Sequence, residues 1–172
     1  MKLHIHRFDL KKGETWQLPD TVSNVAAVSF LGEDKNIIIL NPEDQFTLPC
    51  SGSVYVAEGR LYGMMVKRAS PGGEGLVINP FNGEITNWYL NEFWQRIKLD
   101  DGLVRCFFHD SFEYYGANFT LDFVEEFKKR RGYDLTEFLY VLADDCDDEV
   151  ISERIRSDFR ETLSDLLIES FI

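Results

Sequence analysis

The sequence lacks a long hydrophobic run. Its first residues, MKLHIHRFDLKKGE, contain no apolar core of the kind that marks a signal peptide. No stretch approaches the length of about eighteen apolar residues that a membrane-spanning helix needs. We therefore expect a soluble chain without an export signal and without a membrane partner. The localisation of a longer parent protein, whether periplasmic, secreted or other, stays open.

The sequence also lacks paired cysteines and zinc-binding patterns. Its cysteines, Cys50, Cys106 and Cys146, are odd in number and widely spaced, and neither a CxxC pair nor a Cys/His cluster occurs. Disulfide frameworks and structural zinc sites need closely patterned ligands. The three residues are therefore interpreted as ordinary thiols.

The sequence also lacks an excess of positive charge. Eighteen basic residues stand against thirty acidic ones, which gives a formal net charge of -12. Binding to phosphate backbones or anionic membranes depends on clustered lysine and arginine. This balance excludes nucleic acid as a favoured partner but identifies no positive partner.

What is present is enough apolar material for one well-packed domain, because 44% of the 172 residues are hydrophobic and 14% are aromatic. Residues 1–70 contain short β-branched runs separated by turn signals and are predicted to form a β-rich segment. The strand-like runs are 25–31, 37–40, 53–57 and 61–66.

The pattern changes after a glycine-rich loop at 69–75. The apolar run 76–78 is followed by predicted helices and one further strand, 103–109. The helices are expected over 84–98, 119–131, 135–142 and 151–172. This alternation is typical of an α/β protein with parallel strands.

The second predicted helix, 119–131, shows a clear end signal. Leu121, Val124 and Phe127 supply its apolar face, and the basic run Lys128–Arg131 suits the negative end of the helix dipole. Gly132 is the candidate C-terminal cap. The basic run is thus interpreted as a helix end, not as a nucleic-acid patch.

The strand 103–109 ends in polar residues, His109, Asp110 and, three further on, Glu113. Reactive side chains of α/β folds lie at the C-terminal ends of strands. Partial desolvation by neighbouring aromatic rings would raise the pKa of a carboxyl group there and make it a usable proton donor. Alternatively, Asp110 caps the next turn, Glu113 is an exposed loop acid, and His109 is a buried residue bonded to backbone.

Aromatic residues surround this carboxyl pair, and aromatic faces are common platforms for sugar rings. They are Phe107, Phe108, Phe112, Tyr114 and Tyr115. The strand end, with His109, Asp110, Glu113 and Tyr114, is therefore a candidate sugar-binding site.

Two other stretches invite a ligand interpretation. The loop 71–75, PGGEG, lacks the lysine of a P-loop and the spacing of a dinucleotide fingerprint. The acidic run 143–149 lacks the central glycine and closing glutamate of a calcium-binding EF-hand. Close backbone approach and a solvated acidic loop are the favoured interpretations.

Three segments together carry a family resemblance: "VKRASPGGEGLVINPF" (66–81), "FFHDSFEYYGANFTLDFVEEFKKRRGYDL" (107–135) and "DFRETLSDLLIESF" (158–171). They resemble the catalytic region of bacterial α-L-rhamnosidase-type glycoside hydrolases, family 106. The matching motifs, in order, are GGxG, F-x-D-S-x-E, a helix ending in R-R-G-Y-D, and D-F-R-x-T-x-S-D-L. The resemblance covers residues 64–172 well and the first sixty residues only loosely.

The resemblance implies a (β/α)₈ catalytic barrel, inverting hydrolysis of α-L-rhamnosides in glycans, and a bound calcium ion. It implies two catalytic glutamates, of which Glu113 matches one, with Asp110 and His109 orienting it or binding sugar hydroxyls. The acid or base role of Glu113 is left open.

The chain departs from the family in length, since a barrel alone needs about 250 residues. No candidate for the second catalytic glutamate fits within it. From the resemblance we therefore expect a fragment, with a β-rich, insertion-like segment over residues 1–70 and a partial (β/α) TIM barrel over residues 71–172. The remaining barrel would be supplied by missing sequence. The alternative is a non-catalytic carbohydrate-binding or partner-dependent remnant.

Overall fold

A computed structural model describes residues 1–61, 63–64, 75–76, 78–97, 103, 105, 108, 114 and 116–171. Eight strands precede four helices in these ranges. The strands are β1 (Lys2–Leu10), β2 (Thr15–Trp16), β3 (Val25–Gly32), β4 (Ile37–Leu40), β5 (Phe46–Thr47), β6 (Gly52–Arg60), β7 (Gly63–Met64) and β8 (Gly75–Leu76).

The main sheet has the strand order β1-β6-β3-β4, and each neighbouring pair is antiparallel. β6 lies inside the sheet and pairs along its full length with β1, from Lys2 opposite Arg60 to Leu10 opposite Gly52. The remaining strands form two short antiparallel ribbons, β2-β5 and β7-β8. The β-rich character predicted for the N-terminal segment is confirmed.

Alternation along β6 places apolar side chains on both faces of the sheet. Val54 and Val56 pack on one face with Trp16 and Leu48, beside the β2-β5 ribbon. Tyr55 and Ala57, on the other face, pack with Leu139 of the helical layer. Because a strand buried on both faces needs cover on each side, β6 forms the centre of a three-layer arrangement.

The helices follow the sheet in the chain. They are α1 (Gly83–Ile97), α2 (Phe123–Arg131), a 3₁₀ helix (Leu135–Phe138), α3 (Leu139–Leu142) and α4 (Glu149–Glu169). Each of the four regions predicted to be helical from the sequence contains a helix. None of the described helices has the length and hydropathy that crossing a bilayer requires.

Local signals define the ends of these helices. Gly132 ends α2 with φ +81°, and its amide donates to the Lys128 carbonyl at 2.9 Å. Asp148 caps α4 by accepting a hydrogen bond from the Ile151 amide at 3.0 Å. The prediction of Gly132 as the cap of α2 is confirmed.

The apolar face predicted for α2 needs correction. The helix begins at Phe123, later than predicted, because Phe119 and Thr120 are buried without regular secondary structure and a turn at 121–122 precedes the helix. Leu121 is half exposed, and the fully buried face consists of Phe123 and Phe127, which pack against the helical core. These two phenylalanines are four residues apart and therefore lie on the same face of the helix.

The parallel strand pairing predicted after residue 76 is not seen among the described residues, where every pairing is antiparallel and no barrel closes. Of the predicted strand 103–109, only Leu103, Arg105 and Phe108 are described. They are exposed, and Phe108 exposes 86% of its surface. The rest of that strand lies outside the described residues. The fold shown is a mixed α/β fold with a β-rich N-terminal part.

Candidate functional site

The strand-end motif lies mostly outside the described residues: His109, Asp110 and Glu113 are among those not described. Tyr114, the fourth candidate, is half buried and packs against the helical core. Burial, with a smaller effect of Tyr89, raises the pKa of the Tyr114 hydroxyl. The structure therefore places one member of the predicted site, at the edge of the helical layer.

The segment that follows the motif is fixed at several points. The Ala117 amide donates to the Tyr114 carbonyl at 2.8 Å in a turn that contains Gly116, whose φ is +86°. Asn118 continues the edge of the main sheet, since its amide donates to the Met1 carbonyl and its side-chain oxygen accepts from the Leu3 amide. The chain that leaves Glu113 is thus tied to β1.

Phe119 then enters the core shared by α2 and α4. Its ring lies 5.7 Å from that of Phe123, which in turn lies 4.5 Å from the ring of Phe159. Each of these distances is within the range of favourable aromatic packing. Residues immediately downstream of the strand-end motif are therefore held by both the sheet and the helices.

The motif R-R-G-Y-D at the end of α2 faces α4. Arg131 donates from Nε to Thr162 Oγ1 at 3.0 Å and from Nη2 to Asp165 Oδ2 at 2.5 Å. Its Nη1 lies 3.1 Å from a carboxylate oxygen of Glu161. One guanidinium group thus joins three α4 residues, all of which belong to the D-F-R-x-T-x-S-D-L segment.

Two other residues of this motif, Arg130 and Tyr133, also link α2 to α4. Arg130 binds Glu126 within α2 and forms a two-pronged ion pair with Glu169 at 2.7 and 2.6 Å. The Tyr133 hydroxyl donates to Asp158 Oδ2 at 2.7 Å, and burial together with this carboxylate raises its pKa. Two of the motifs recognised in the sequence are therefore one structural unit, the α2–α4 clamp, defined by Arg130, Arg131 and Tyr133 with their α4 partners.

A second polar cluster surrounds Glu58, the one buried carboxylate among the described residues. Its oxygens accept from Arg60 Nε at 2.7 Å and from the Ser23 amide at 3.1 Å, and one lies 2.8 Å from His6 Nε2. Burial raises its pKa, but these three hydrogen bonds outweigh burial and lower the pKa to about 2.

No role was predicted for His4 or His6 from the sequence, and Glu58 was not singled out. The one available signal was the alternation along β1, which places His4 and His6 on one face of that strand. Because its oxygens already accept from three donors, Glu58 is suited to fix β1, β6 and the residues before β3. It is poorly suited to accept a substrate proton.

The acidic run 143–149 is tied to the sheet through Asp145. The buried Tyr55 hydroxyl donates to its carboxylate, and Arg7 Nη1 lies 2.9 Å from the same oxygen. Burial, followed by the bond to Asp145, raises the pKa of Tyr55 to about 12. The interpretation of this run as simply solvated thus holds for its exposed members and not for Asp145.

The calcium ion implied by the resemblance has no evident ligand set in this part of the molecule. Within the ranges that the structure describes, no group of three or more histidine, cysteine, aspartate or glutamate side chains could hold a metal ion. Cys50 and Cys146 are free thiols, as predicted, and Cys106 lies outside the described residues.

Comparison with known proteins shows which family this chain matches. The family model of α-L-rhamnosidases, glycoside hydrolase family 106, matches residues 56–172. The chain belongs to this family. The match includes the strand-end motif and both halves of the α2–α4 clamp, so the family resemblance found in the sequence is confirmed.

A curated relative gives a similar indication. A Formosa agariphila protein, provisionally named a β-glucuronidase, is 34% identical over 109 residues, which is 60% of this chain. The aligned region spans only 9% of that protein. No solved structure gives a significant match.

Proposed function

We propose that this chain carries part of the active site of an α-L-rhamnosidase and that Glu113 is one of its two catalytic carboxylates. The observation that carries the proposal is the family match over residues 56–172, which includes the strand-end motif. The described neighbours support it, since Tyr114 and residues 116–120 are anchored to the sheet and to the helical core. A reacting carboxylate needs such a rigid setting.

The proposed reaction is hydrolysis with inversion at the anomeric carbon. One carboxylic acid gives its proton to the glycosidic oxygen as the bond to the anomeric carbon breaks. The second carboxylate removes a proton from water, whose oxygen forms the new bond on the opposite face of the sugar. Glu113 takes one of these two roles, with His109 and Asp110 binding sugar hydroxyls and Tyr114 lining the sugar site.

The second carboxylate and the remaining barrel strands are proposed to come from polypeptide outside this chain. The glutamates considered as the second carboxylate lie within helices: Glu137 in the 3₁₀ helix and Glu149, Glu153 and Glu161 in α4. Glu58 already accepts hydrogen bonds from three donors.

The lack of a second suitable carboxylate among the described residues favours a second candidate function. In this alternative the chain binds rhamnose-containing glycans through the strand-end aromatic residues without cleaving them. The two functions differ in turnover and share sugar recognition.

The discriminating experiment combines calorimetric titration of the chain with L-rhamnose and proton NMR of an aryl α-L-rhamnoside incubated with the chain together with the polypeptide that completes the barrel. Release of L-rhamnose with initial inversion of the anomeric configuration supports the proposed hydrolase. Saturable binding without release supports the binding module. Absence of both, or equal response to an aryl β-glucuronide, overturns the rhamnosidase proposal for this chain.

A further inference from the structure

The first half of β1 carries two histidines on one face. His4 and His6 alternate along the strand, so both side chains lie on the same side of the sheet. Their ring centroids are 4.5 Å apart, with one ring edge-on to the other. His6 also stacks on Phe8 at 6.2 Å, and Phe8 packs against the core that contains Trp16. The histidine pair therefore lies where the apolar core on this face gives way to polar side chains.

The facing strand, β6, offers this pair one carboxylate. Glu58 is opposite His4 in the register of the two strands. One of its oxygens lies 2.8 Å from His6 Nε2 and accepts from Arg60 Nε at 2.7 Å. Because Arg60 shares this carboxylate, its negative charge is already balanced before either histidine takes up a proton.

The other charged side chains that act on the pair are positive. Lys2 lies on the same face of β1, two residues before His4. The segment between β2 and β3 contributes the Ser23 amide, which donates to Glu58 at 3.1 Å, and its charged residue, Asp20, is exposed. With both histidines protonated, one carboxylate would face four cations: Lys2, His4, His6 and Arg60.

Protonation of the two rings therefore differs in its effect. A charged His6 gains an ion pair with Glu58, whereas a charged His4 lies beside His6 and two basic side chains. Burial, followed by repulsion from Arg60 and His6, lowers the pKa of His4 below its ordinary value of 6.5. The folded chain thus binds this proton less readily than the unfolded chain does. The stability that a neutral His4 provides is complete above pH 6.5 and decreases as the pH falls below that value.

We propose that His4 and His6 form a pH-sensitive latch, which holds the first half of β1 on β6 at neutral pH and releases it in mild acid. β1 lies at an edge of the main sheet, so its end can open locally while the other strands stay paired. The proposal does not depend on the proposed hydrolase function.

The latch also affects the segment that follows the strand-end motif. The Leu3 amide donates to Asn118 Oδ1 at 2.8 Å, and the Asn118 amide donates to the Met1 carbonyl at 3.0 Å. These two bonds tie Asn118 to the part of β1 that the latch controls. Release of β1 therefore frees Asn118 from the sheet.

The test is amide hydrogen exchange of the full chain, followed by NMR at about pH 7.5 and about pH 5. The reporter is the Leu3 amide, because its hydrogen bond joins β1 to Asn118. Its protection factor, which corrects for the intrinsic effect of pH on exchange, is expected to be at least ~3-fold lower at the acidic pH. The Gly13 amide, which donates to the Leu48 carbonyl beyond the other end of β1, should keep its protection.

Two variants separate titration of His4 from the charge of its surroundings. His4→Gln removes the titrating ring at an exposed position and should abolish the difference in Leu3 protection between the two pH values. The matched control, Lys2→Gln, removes a fixed charge from the same face, and the acid-induced decrease should remain. The third histidine, His109, is present in both variants, so its titration cannot explain a difference between them.

A second measurement tests the coupling within the pair. In an NMR titration of the imidazole rings, His6→Gln should move the midpoint of His4 upward, because a neighbouring positive charge is lost. Leu3 protection that is equal at both pH values, that rises in acid, or that falls as much in His4→Gln as in the wild type overturns the proposal. A His4 midpoint that His6→Gln leaves unchanged also overturns it.

Discussion

The Arg131 guanidinium at the end of α2 donates to the Asp165 carboxylate of α4 at 2.5 Å. This contact joins two motifs that lie more than thirty residues apart and that identify the family in sequence. In the described structure both motifs act as scaffold, because they hold together the helices that follow the strand-end motif. The sequence motifs that identify the family therefore include residues that hold the helices together, in addition to residues proposed to take part in the reaction.

Removing this contact should destabilise the fold. We expect Arg131→Ala to lower the free energy of unfolding by about 2–3 kcal/mol, because Asp165 and Thr162 lose a charged donor in a partly buried setting. Urea unfolding followed by circular dichroism measures this change. Arg160→Ala, at an exposed position of α4, is the control and should stay within about 0.5 kcal/mol of the wild type. Equal effects of the two variants would refute the clamp.

A glycine substitution tests the end of α2. Gly132 adopts φ +81°, and no atom lies within 4 Å of the position where a Cβ would be added. Gly132→Ala should therefore cost about 1–2 kcal/mol through backbone strain alone. Gly83→Ala has no positive φ and serves as the matched control at a helix start. A thermal melt that ranks Gly83→Ala as the more damaging change would contradict this assignment.

The cluster around Glu58 predicts acid sensitivity. Its folded-state pKa of about 2 lies below the ordinary value of 4.5, so its ionised form stabilises the fold. That contribution is complete above pH 4.5 and is lost as the pH falls toward 2. Glu58→Gln should cost ~1.5–3 kcal/mol near neutral pH.

The measurement is the difference in unfolding free energy between wild type and Glu58→Gln as a function of pH. It should shrink steadily between pH 4.5 and 2. Glu33→Gln, at an exposed acid of the same segment, should show no such trend. A difference that is constant over this range would contradict the buried network.

Tyr55 predicts a change of stability with pH in the opposite direction, in the alkaline range. Burial and the bond to Asp145 raise its pKa from 10.0 to about 12, so the folded state retains a proton that the unfolded state releases. Stability should fall as the pH rises between these values. Ultraviolet titration of Tyr55→Phe should lose one ionisation step near pH 12 compared with the wild type. An unchanged titration curve would show that Tyr55 is not the group concerned.

Helix positions were predictable because their signals are local. Four-residue apolar spacing marked α4, and Gly132 marked the end of α2. The start of α2 was not predictable, because Phe119 is buried in the core ahead of the helix through packing that no local signal shows. A hydrophobic residue next to a helix looks like part of its apolar face.

The polar clusters could not be predicted from the sequence, for a different reason. His6 and Glu58 are 52 residues apart in sequence and meet through the pairing of β1 with β6. The register of that pairing depends on which faces the whole sheet buries. Residue type alone therefore gave His6 no role. The motifs that carry the family resemblance contain Arg131, Tyr133 and Asp165, but the sequence did not predict their contacts between α2 and α4. Glu113 stays a prediction.

The most direct test of the account is the rate of α-L-rhamnoside hydrolysis by the wild-type chain and by Glu113→Gln, together with any polypeptide that completes the barrel. If Glu113 is a catalytic acid or base, the variant should lose about 10²–10⁴-fold in turnover. Its unfolding temperature should match that of the wild type, and Glu125→Gln, an exposed acid on α2, should keep full activity. A Glu113→Gln protein that retains a near-normal rate would contradict the assignment.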